Sequence, residues 1–307
     1  MNGVLVIDKA AGPTSHDVVA AVRRLLKIKK VGHTGTLDPA ATGVLPLVLG
    51  KATKVARFLS SATKSYRAVV RLGITTDTLD AVGEVLSERE VSVEQSDVEA
   101  KLEAFRGEFD QVPPMYSAKK IDGKRLYELA RSGVEVERPA KRVTITHLEL
   151  LSFDGRDIEL DVTCSAGTYM RVLAQDLGEL LGCGGHLYTL RRTQAGPFEI
   201  EQSITLDALT ENPERAGELL VPMGDALEGL PSIAVPADIG RMIANGYQLT
   251  VADLRNLDTP NFDVDTTLTL REDSGSVIAI VTSLMTSADL MRSRREQHAF
   301  KTERVVR

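Results

Sequence analysis

Residues 31–43 run Val-Gly-His-Thr-Gly-Thr-Leu-Asp-Pro-Ala-Ala-Thr-Gly, a stretch so rich in Gly, Thr and Pro that it reads as a shaped loop. Gly32, Gly35 and Gly43 allow left-handed backbone or the close approach of a ligand, and Pro39 keeps Asp38 out of helical geometry. The carboxylate is therefore presented on a stiff turn. Such a loop holds its shape only between rigid elements, and its flanks supply them. Residues 4–7 are apolar and read as a buried strand. Thr14 or Ser15 can cap a helix whose Val18, Val19, Val22, Leu25 and Leu26 recur at helical spacing. After the loop, GVLPLVLG at 43–50 is apolar throughout and reads as a buried segment.

The rest of the chain mixes both element types. Its pattern predicts a short helix at 51–59, an alternating strand at 66–72, helices at 97–105 and 123–131, and a strand pair at 143–151 and 158–164 around Asp154-Gly155. A helix over 168–181 is expected to be capped by Thr168 and stopped by Gly182. Pro222, Gly224, Gly229, Pro231 and Pro236 give 222–236 the texture of a linker, beyond which come short strands and a helical piece at 238–244. A chain of 307 residues is better divided into two domains than kept as one, and the expected division is 1–230 and 231–307. The fold class expected is α+β: a mixed, largely antiparallel sheet flanked by helices, plus a small, mostly β C-terminal domain.

Net charge is −6, from 37 basic and 43 acidic residues, which argues against coating nucleic acid through a uniformly basic surface. The sum conceals a strong asymmetry. Residues 18–37 hold five basic side chains (Arg23, Arg24, Lys27, Lys29, Lys30) and no acidic one, while 51–71 hold six (Lys51, Lys54, Arg57, Lys64, Arg67, Arg71) and again none. Residues 72–110 reverse this with 11 acidic and 3 basic. Two acid-free basic segments around one Gly-rich loop point to a track for phosphates. Cys164 and Cys183 match neither a metal-binding nor a disulfide spacing and read as core thiols. Asp8 and Lys9 interrupt the first apolar run before a signal-peptide core could form, and no later stretch has the roughly 18 apolar residues of a membrane span. A cytoplasmic location is expected.

An Asp-Pro pair alone is usually a turn former, so the company Asp38 keeps has to decide its role. Thr34-Gly35-Thr36-Leu37 resembles the loop of haloacid-dehalogenase-type phosphatases, but Gly32 stands where their nucleophilic aspartate would be. No Walker A loop, HExxH or GxSxG is present.

A different resemblance covers far more of the chain. GVLVIDK at 3–9, Gly-Pro-Thr-Ser at 12–15, GHTGTLDPAATGVLPLVLGKATK at 32–54, Ser65-Tyr66-Arg67, the Asp77-Thr78 turn, Pro-Met-Tyr-Ser-Ala at 114–118, CSAGTYMRVLAQDLG at 164–178 and Leu190-Arg191-Arg192 follow the order of a TruB-type tRNA pseudouridine synthase. The match spans roughly residues 3–210, with a weaker likeness to a PUA-type RNA-binding domain beyond. The resemblance implies the pseudouridine synthase fold and the isomerisation of the T-loop uridine at tRNA position 55, with neither cofactor nor metal. It maps the family's catalytic aspartate onto Asp38, its stacking tyrosine onto Tyr66 and the partner arginine onto Arg191. It places His33 against the flipped nucleotide, and Tyr188, Leu209 and Lys9 among substrate contacts. The chain departs from the family at Ala10, where proline is common, at Ala166, where lysine is, and at Thr189, where some members carry tyrosine.

The T stem-loop of tRNA is the implied partner, and residues 113–133, with Lys119, Lys120, Lys124 and Arg125, form the expected clamp on its stem. A monomer that needs no obligate protein partner is expected. Two other readings remain at this level: a guide-RNA-dependent pseudouridine synthase, and an RNA-binding or tRNA-folding protein in which modification is secondary.

Overall fold

The computed structural model describes residues 1–306 apart from Ala118, Lys119, Asp122, Glu135 and Met291, with backbone alone for several neighbours of these at 120–131. Of the expected clamp at 113–133, Ala118, Lys119 and Asp122 lie outside the described residues, as do the side chains of Lys120, Lys124 and Arg125. The architecture is α+β, as the sequence indicates.

The apolar run after the loop becomes a strand, β3 (Thr42–Leu49), paired antiparallel along its whole length with β1 (Gly3–Lys9). Both read as continuous rather than alternating hydrophobic strands because both of their faces are covered. Leu5, Ile7, Leu45, Leu47 and Leu49 face one core, while Val4, Val6, Val44 and Val48 face another. Pro46 is tolerated in this interior strand because β3 changes neighbours there: Gly185–Ala195 pairs with it at Thr42 and Gly43, and β2 (Val31–His33) at Leu47 to Leu49. From that point the sheet runs through β4 (Lys64–Leu72), Asp157–Cys164, Lys141–Phe153 and Gly107–Gln111, all antiparallel. On the other edge, β1 pairs in parallel with Ile204–Thr205.

Helices cover one face. The first, α1 (Ser15–Leu25), starts from a Thr14–Asp17 capping box and buries Val18 and Val22. A second, Met170–Leu180, lays Met170, Leu173, Ala174 and Leu177 on the same core. Gly182, at φ +81°, follows it as expected. Thr168 is not its cap: its hydroxyl donates to the Ser165 carbonyl, and the helix begins after Tyr169.

The expected linker is docked rather than free. Val221 bridges to Val4, and Met223–Ala226 is a helix whose Ala226, with Leu227, is buried in the second core. The C-terminal sheet, Ser232–Ala234, Thr267–Arg271, Val277–Ser283 and Phe300–Val305, has a core of its own, yet Val277, Ile280 and Val306 pack into the cluster that holds Val4, Val6, Val44 and Val48.

Part of the second basic segment serves the same junction. Lys54 Nζ donates to the carbonyls of Val305 and Val306, and Arg57 pairs with Glu303 at 2.6 Å. Further along, Arg67 meets Glu159 and Asp161, Arg71 pairs with Asp157, and Lys64 is buried. Five of the six cations of residues 51–71 thus have carboxylate or carbonyl partners. Arg23, Arg24, Lys27, Lys29 and Lys30 are exposed.

Removing residues 231–307 uncovers valines whose burial is worth about 1.5–3 kcal/mol each. The truncated chain is expected to melt about 10 °C or more below the full chain and to bind a hydrophobic dye in thermal denaturation; an unchanged midpoint would show that the two parts fold independently.

Candidate active site

Asp38 lies where the loop crosses the helix-covered face of the sheet. The backbone around it is fastened from several directions, as a partly buried irregular segment requires. Ser15 Oγ accepts from Leu37 N–H at 2.8 Å and donates to the Leu37 carbonyl at 2.9 Å. Gly12 N–H donates to the Pro39 carbonyl, and Leu37 and Ala41 are buried in the core. Lys9 is 1% exposed, and its ammonium donates to the carbonyls of Ala10, Pro39 and Ala41 at 2.9, 3.1 and 2.7 Å. Lys9 was expected among substrate contacts; its ammonium instead holds the loop backbone just after Asp38, at Pro39 and Ala41, against Ala10.

The expected arginine partner is also different. Arg191 forms a two-pronged pair with Asp8, at 3.1 and 2.8 Å, and its side chain is 43% exposed. The cation on Asp38 is Arg171, at 3.1 Å. The reason lies in strand alternation: Arg191 stands opposite the exposed Arg67, on the face away from Tyr66, whereas Arg171 rises from the helix packed over the loop. Arg171 is only 8% exposed, and both terminal nitrogens are directed at structure: Nη2 to Asp38 and the Tyr116 carbonyl, Nη1 to the Thr78 carbonyl and to Asp80 at 3.6 Å. A sequence signal existed in CSAGTYMRVLAQDLG, where one arginine interrupts the apolar positions of a helix and such a residue is rarely buried without a partner. Asp80, two residues beyond the noted Asp77-Thr78 turn, was missed as well; it accepts from Thr78 Oγ1 and Val82 N–H, which fixes its carboxylate.

The electrostatics of Asp38 follow from these neighbours. Burial pushes its carboxyl above the usual carboxylate range; Arg171 opposes that, Asp80 reinforces it, and Lys9 opposes it again. The side chain remains 43% exposed, so the carboxylate pairs with Arg171 while facing an opening.

Tyr66 lies on β4 in the same core, 9% exposed and directly across from Arg192. Burial pushes its phenol up, with Arg192 opposing and Asp38 adding to the rise. His33, at the loop's start, accepts from Gly35 N–H through Nδ1 at 3.3 Å and meets His16 edge-on, ring centres 5.3 Å apart. Burial, His16 and Arg192 all lower its pKa, so neutral His33 carries its proton on Nε2.

Two expected contacts are not brought here. Tyr188 is exposed and lies under the Arg71 guanidinium, 3.3 Å from the ring centre, at a strand bulge several residues from Tyr66. Leu209 is 0% exposed, packed in the core that α1 covers, and cannot line an opening. Beside the site, a cavity of about 440 Å³ is lined by residues including Thr78, Pro114, Met115, Tyr116 and Val172. It adjoins the two carbonyls held by Arg171. Among the described residues no cluster of three or more His, Cys, Asp or Glu could hold a metal ion, and no helix is long and apolar enough to cross a membrane.

Comparison with known proteins gives the family of the chain. Residues 23–170 match the family described as TruB family pseudouridylate synthase (N terminal domain), and 171–228 match the tRNA pseudouridylate synthase B C-terminal domain. A tRNA pseudouridine synthase B of Ralstonia pickettii is 50% identical over 86% of this chain and 83% of its own. One from Pseudomonas paraeruginosa is 53% identical over 74% of this chain and 76% of its own, and one from Yersinia pestis 45% over 82% and 81%. Among solved structures, one from a Cbf5-Nop10-Gar1 complex superimposes with a TM-score of 0.81 at 30% identity, covering 99% of this chain and 85% of that one. Another, from an H/ACA RNP bound to a substrate RNA, gives 0.78 at 27% identity over 99% and 85%.

The pairing with Arg171 has a measurable consequence. Its removal in Arg171→Met is expected to raise the titration midpoint of the Asp38 carboxyl, followed by carbon-13 NMR, by about 1–3 pH units. An unmoved midpoint would show that another cation balances this carboxylate.

Proposed function

The chain belongs to the TruB family of pseudouridylate synthases, and from that premise we propose that it isomerises the T-loop uridine at tRNA position 55. The observation that carries the reading is a carboxylate on a rigid loop, paired with a buried arginine and lying near a tyrosine ring. Forming pseudouridine breaks the bond between N1 and the sugar, turns the base and rejoins it through C5, which loses a proton. Asp38 acts ionised, as nucleophile or as the group that drives glycosidic cleavage. Arg171 keeps it ionised despite partial desolvation, and Asp80 holds Arg171 in place. Tyr66 offers the target base a stacking surface. The uridine must leave its loop to reach them, and His33, with Nε2–H as donor, meets the flipped nucleotide. Arg191, half exposed and paired with Asp8, lies on the sheet face away from Tyr66 and takes no part at Asp38.

In this reading residues 1–230 carry the catalysis, while 231–307 form a PUA-like unit that binds RNA. The purified chain acts alone on tRNA, as a monomer in the cytoplasm. The match to Cbf5-containing complexes favours guide-RNA dependence as the second reading. Pseudouridine formed by the purified chain on a free T-arm stem-loop excludes it.

Asp38→Asn is expected to abolish pseudouridine formation while leaving tRNA affinity within about threefold, since phosphate contacts supply most of the binding. Its stability should rise rather than fall. A carboxyl whose folded pKa exceeds its unfolded value disfavours the folded state once ionised, and the penalty is relieved as pH falls through that pKa. Near-normal turnover by this variant would refute the assignment.

Neutralising Arg23, Arg24 and Lys27 together should weaken tRNA binding and reduce the slope of log Kd against log salt by about 2–3. An unchanged slope would place the phosphate track elsewhere.

A further inference from the structure

Two buried cations beneath the catalytic loop have no role in the chemistry above. Lys64 is 8% exposed and Arg192 is 1% exposed. The Lys64 ammonium donates to the carbonyls of Ser60 and Ala62, at the end of the helix Ala56–Ser60, which accounts for its burial. Arg192 is a different case. A guanidinium taken wholly out of water is tolerated only when its donors are used, and here they are used on the loop that carries Asp38.

Nε of Arg192 donates to the Val44 carbonyl at 2.7 Å and Nη2 to the Gly35 carbonyl at 3.0 Å. Gly35 precedes Asp38 by three residues and Val44 follows it by six, so one side chain grips both ends of the loop. The backbone of Arg192 contributes as well: it pairs with Gly43, whose φ is +99° and at which any Cβ would lie 2.1 Å from the Arg192 carbonyl oxygen. Across the antiparallel ladder Arg192 stands opposite Tyr66, which puts both side chains on one face. Loop and ring therefore share a single point of attachment.

We propose that Arg192 is a positioning residue for the isomerisation, clamping Gly35 and Val44 against the strand that carries Tyr66 and so fixing the spacing between the Asp38 carboxylate and the tyrosine ring. The proposal rests on the reading that Asp38 and Tyr66 act together on the uridine. Arginine suits the place because Nε and Nη2 of one planar fork are held at fixed spacing toward the carbonyls of Val44 and Gly35, a geometry that the single nitrogen of a lysine does not reproduce.

The test uses the full chain on a T-arm stem-loop, reading single-turnover pseudouridine formation, RNA Kd with its salt dependence, and Tm. Arg192→Met is expected to lose about 100-fold in rate and Arg192→Lys about 10-fold, with Kd within about threefold and the salt slope unchanged. Combined with Tyr66→Leu, which removes the ring, Arg192→Met should cost less than the product of the two separate losses, since part of its effect passes through the ring. A folded Arg192→Met that turns over at the normal rate overturns the proposal. So does a weaker Kd with a flattened salt slope, which would make Arg192 an RNA contact. Should Arg192→Met fail to fold, Gly35 decides. A Cβ there lies 3.6 Å from Arg192 Nη1 and 3.9 Å from Lys64 Cε, so the branched side chain of Gly35→Val should displace the guanidinium and slow turnover. Normal turnover by Gly35→Val overturns the proposal. Asp38→Asn is run beside them: if it remains active, the failure belongs to the catalytic assignment and not to Arg192.

Discussion

A carboxylate drawn partly out of water has to be balanced by positive charge, and most of the architecture around Asp38 answers that requirement. Desolvation favours the neutral acid, which could neither attack nor stabilise anything. Arg171 opposes it from the overlying helix and Lys9 from below. Placing them there needs the helix Met170–Leu180 packed on the sheet, and the turn at Asp80 folded back to steady the guanidinium. Lys9 meets the requirement twice over, since the ammonium that lowers the carboxyl pKa also holds the carbonyls of Pro39 and Ala41, just beyond Asp38.

The sheet beneath is organised to keep that loop still. Strands β1 and β3 are buried on both faces, one by helices and the other by the docked segment around Met223–Ala226 and the C-terminal sheet. This second covering joins the C-terminal unit, which has its own core, to the sheet that carries the Asp38 loop. It also explains the use made of Lys54 and Arg57, which stand near the loop in sequence but hold the final strand in space.

Much of this was legible in the sequence because it depends on near neighbours along the chain. The periodicity of Val18 and Val22, the Thr14 cap, the continuous apolar run before Gly50 and the alternation of Tyr66 to Leu72 each specify an element without reference to the rest. What failed were assignments that depended on direction. Arg191 and Arg192 are adjacent in sequence and point to opposite faces; Tyr188 sits at a bulge that turns it towards Arg71; Leu209 looks like a lining residue until α1 is seen to cover it. The linker composition of 222–236 was real, but it could not show that the segment docks.

The sequence by itself determined the elements, the α+β class, the presentation of Asp38 on a constrained loop and the family, since all of these follow from local pattern and ordered motifs. The tertiary structure decided which cation balances Asp38, because Arg171 lies 133 positions away and only strand order and helix packing bring it within 3.1 Å. It likewise decided that Lys9 and Arg192 are buried supports rather than surface charges. Solvent exposure belongs to the packed whole, and no residue carries it in its name.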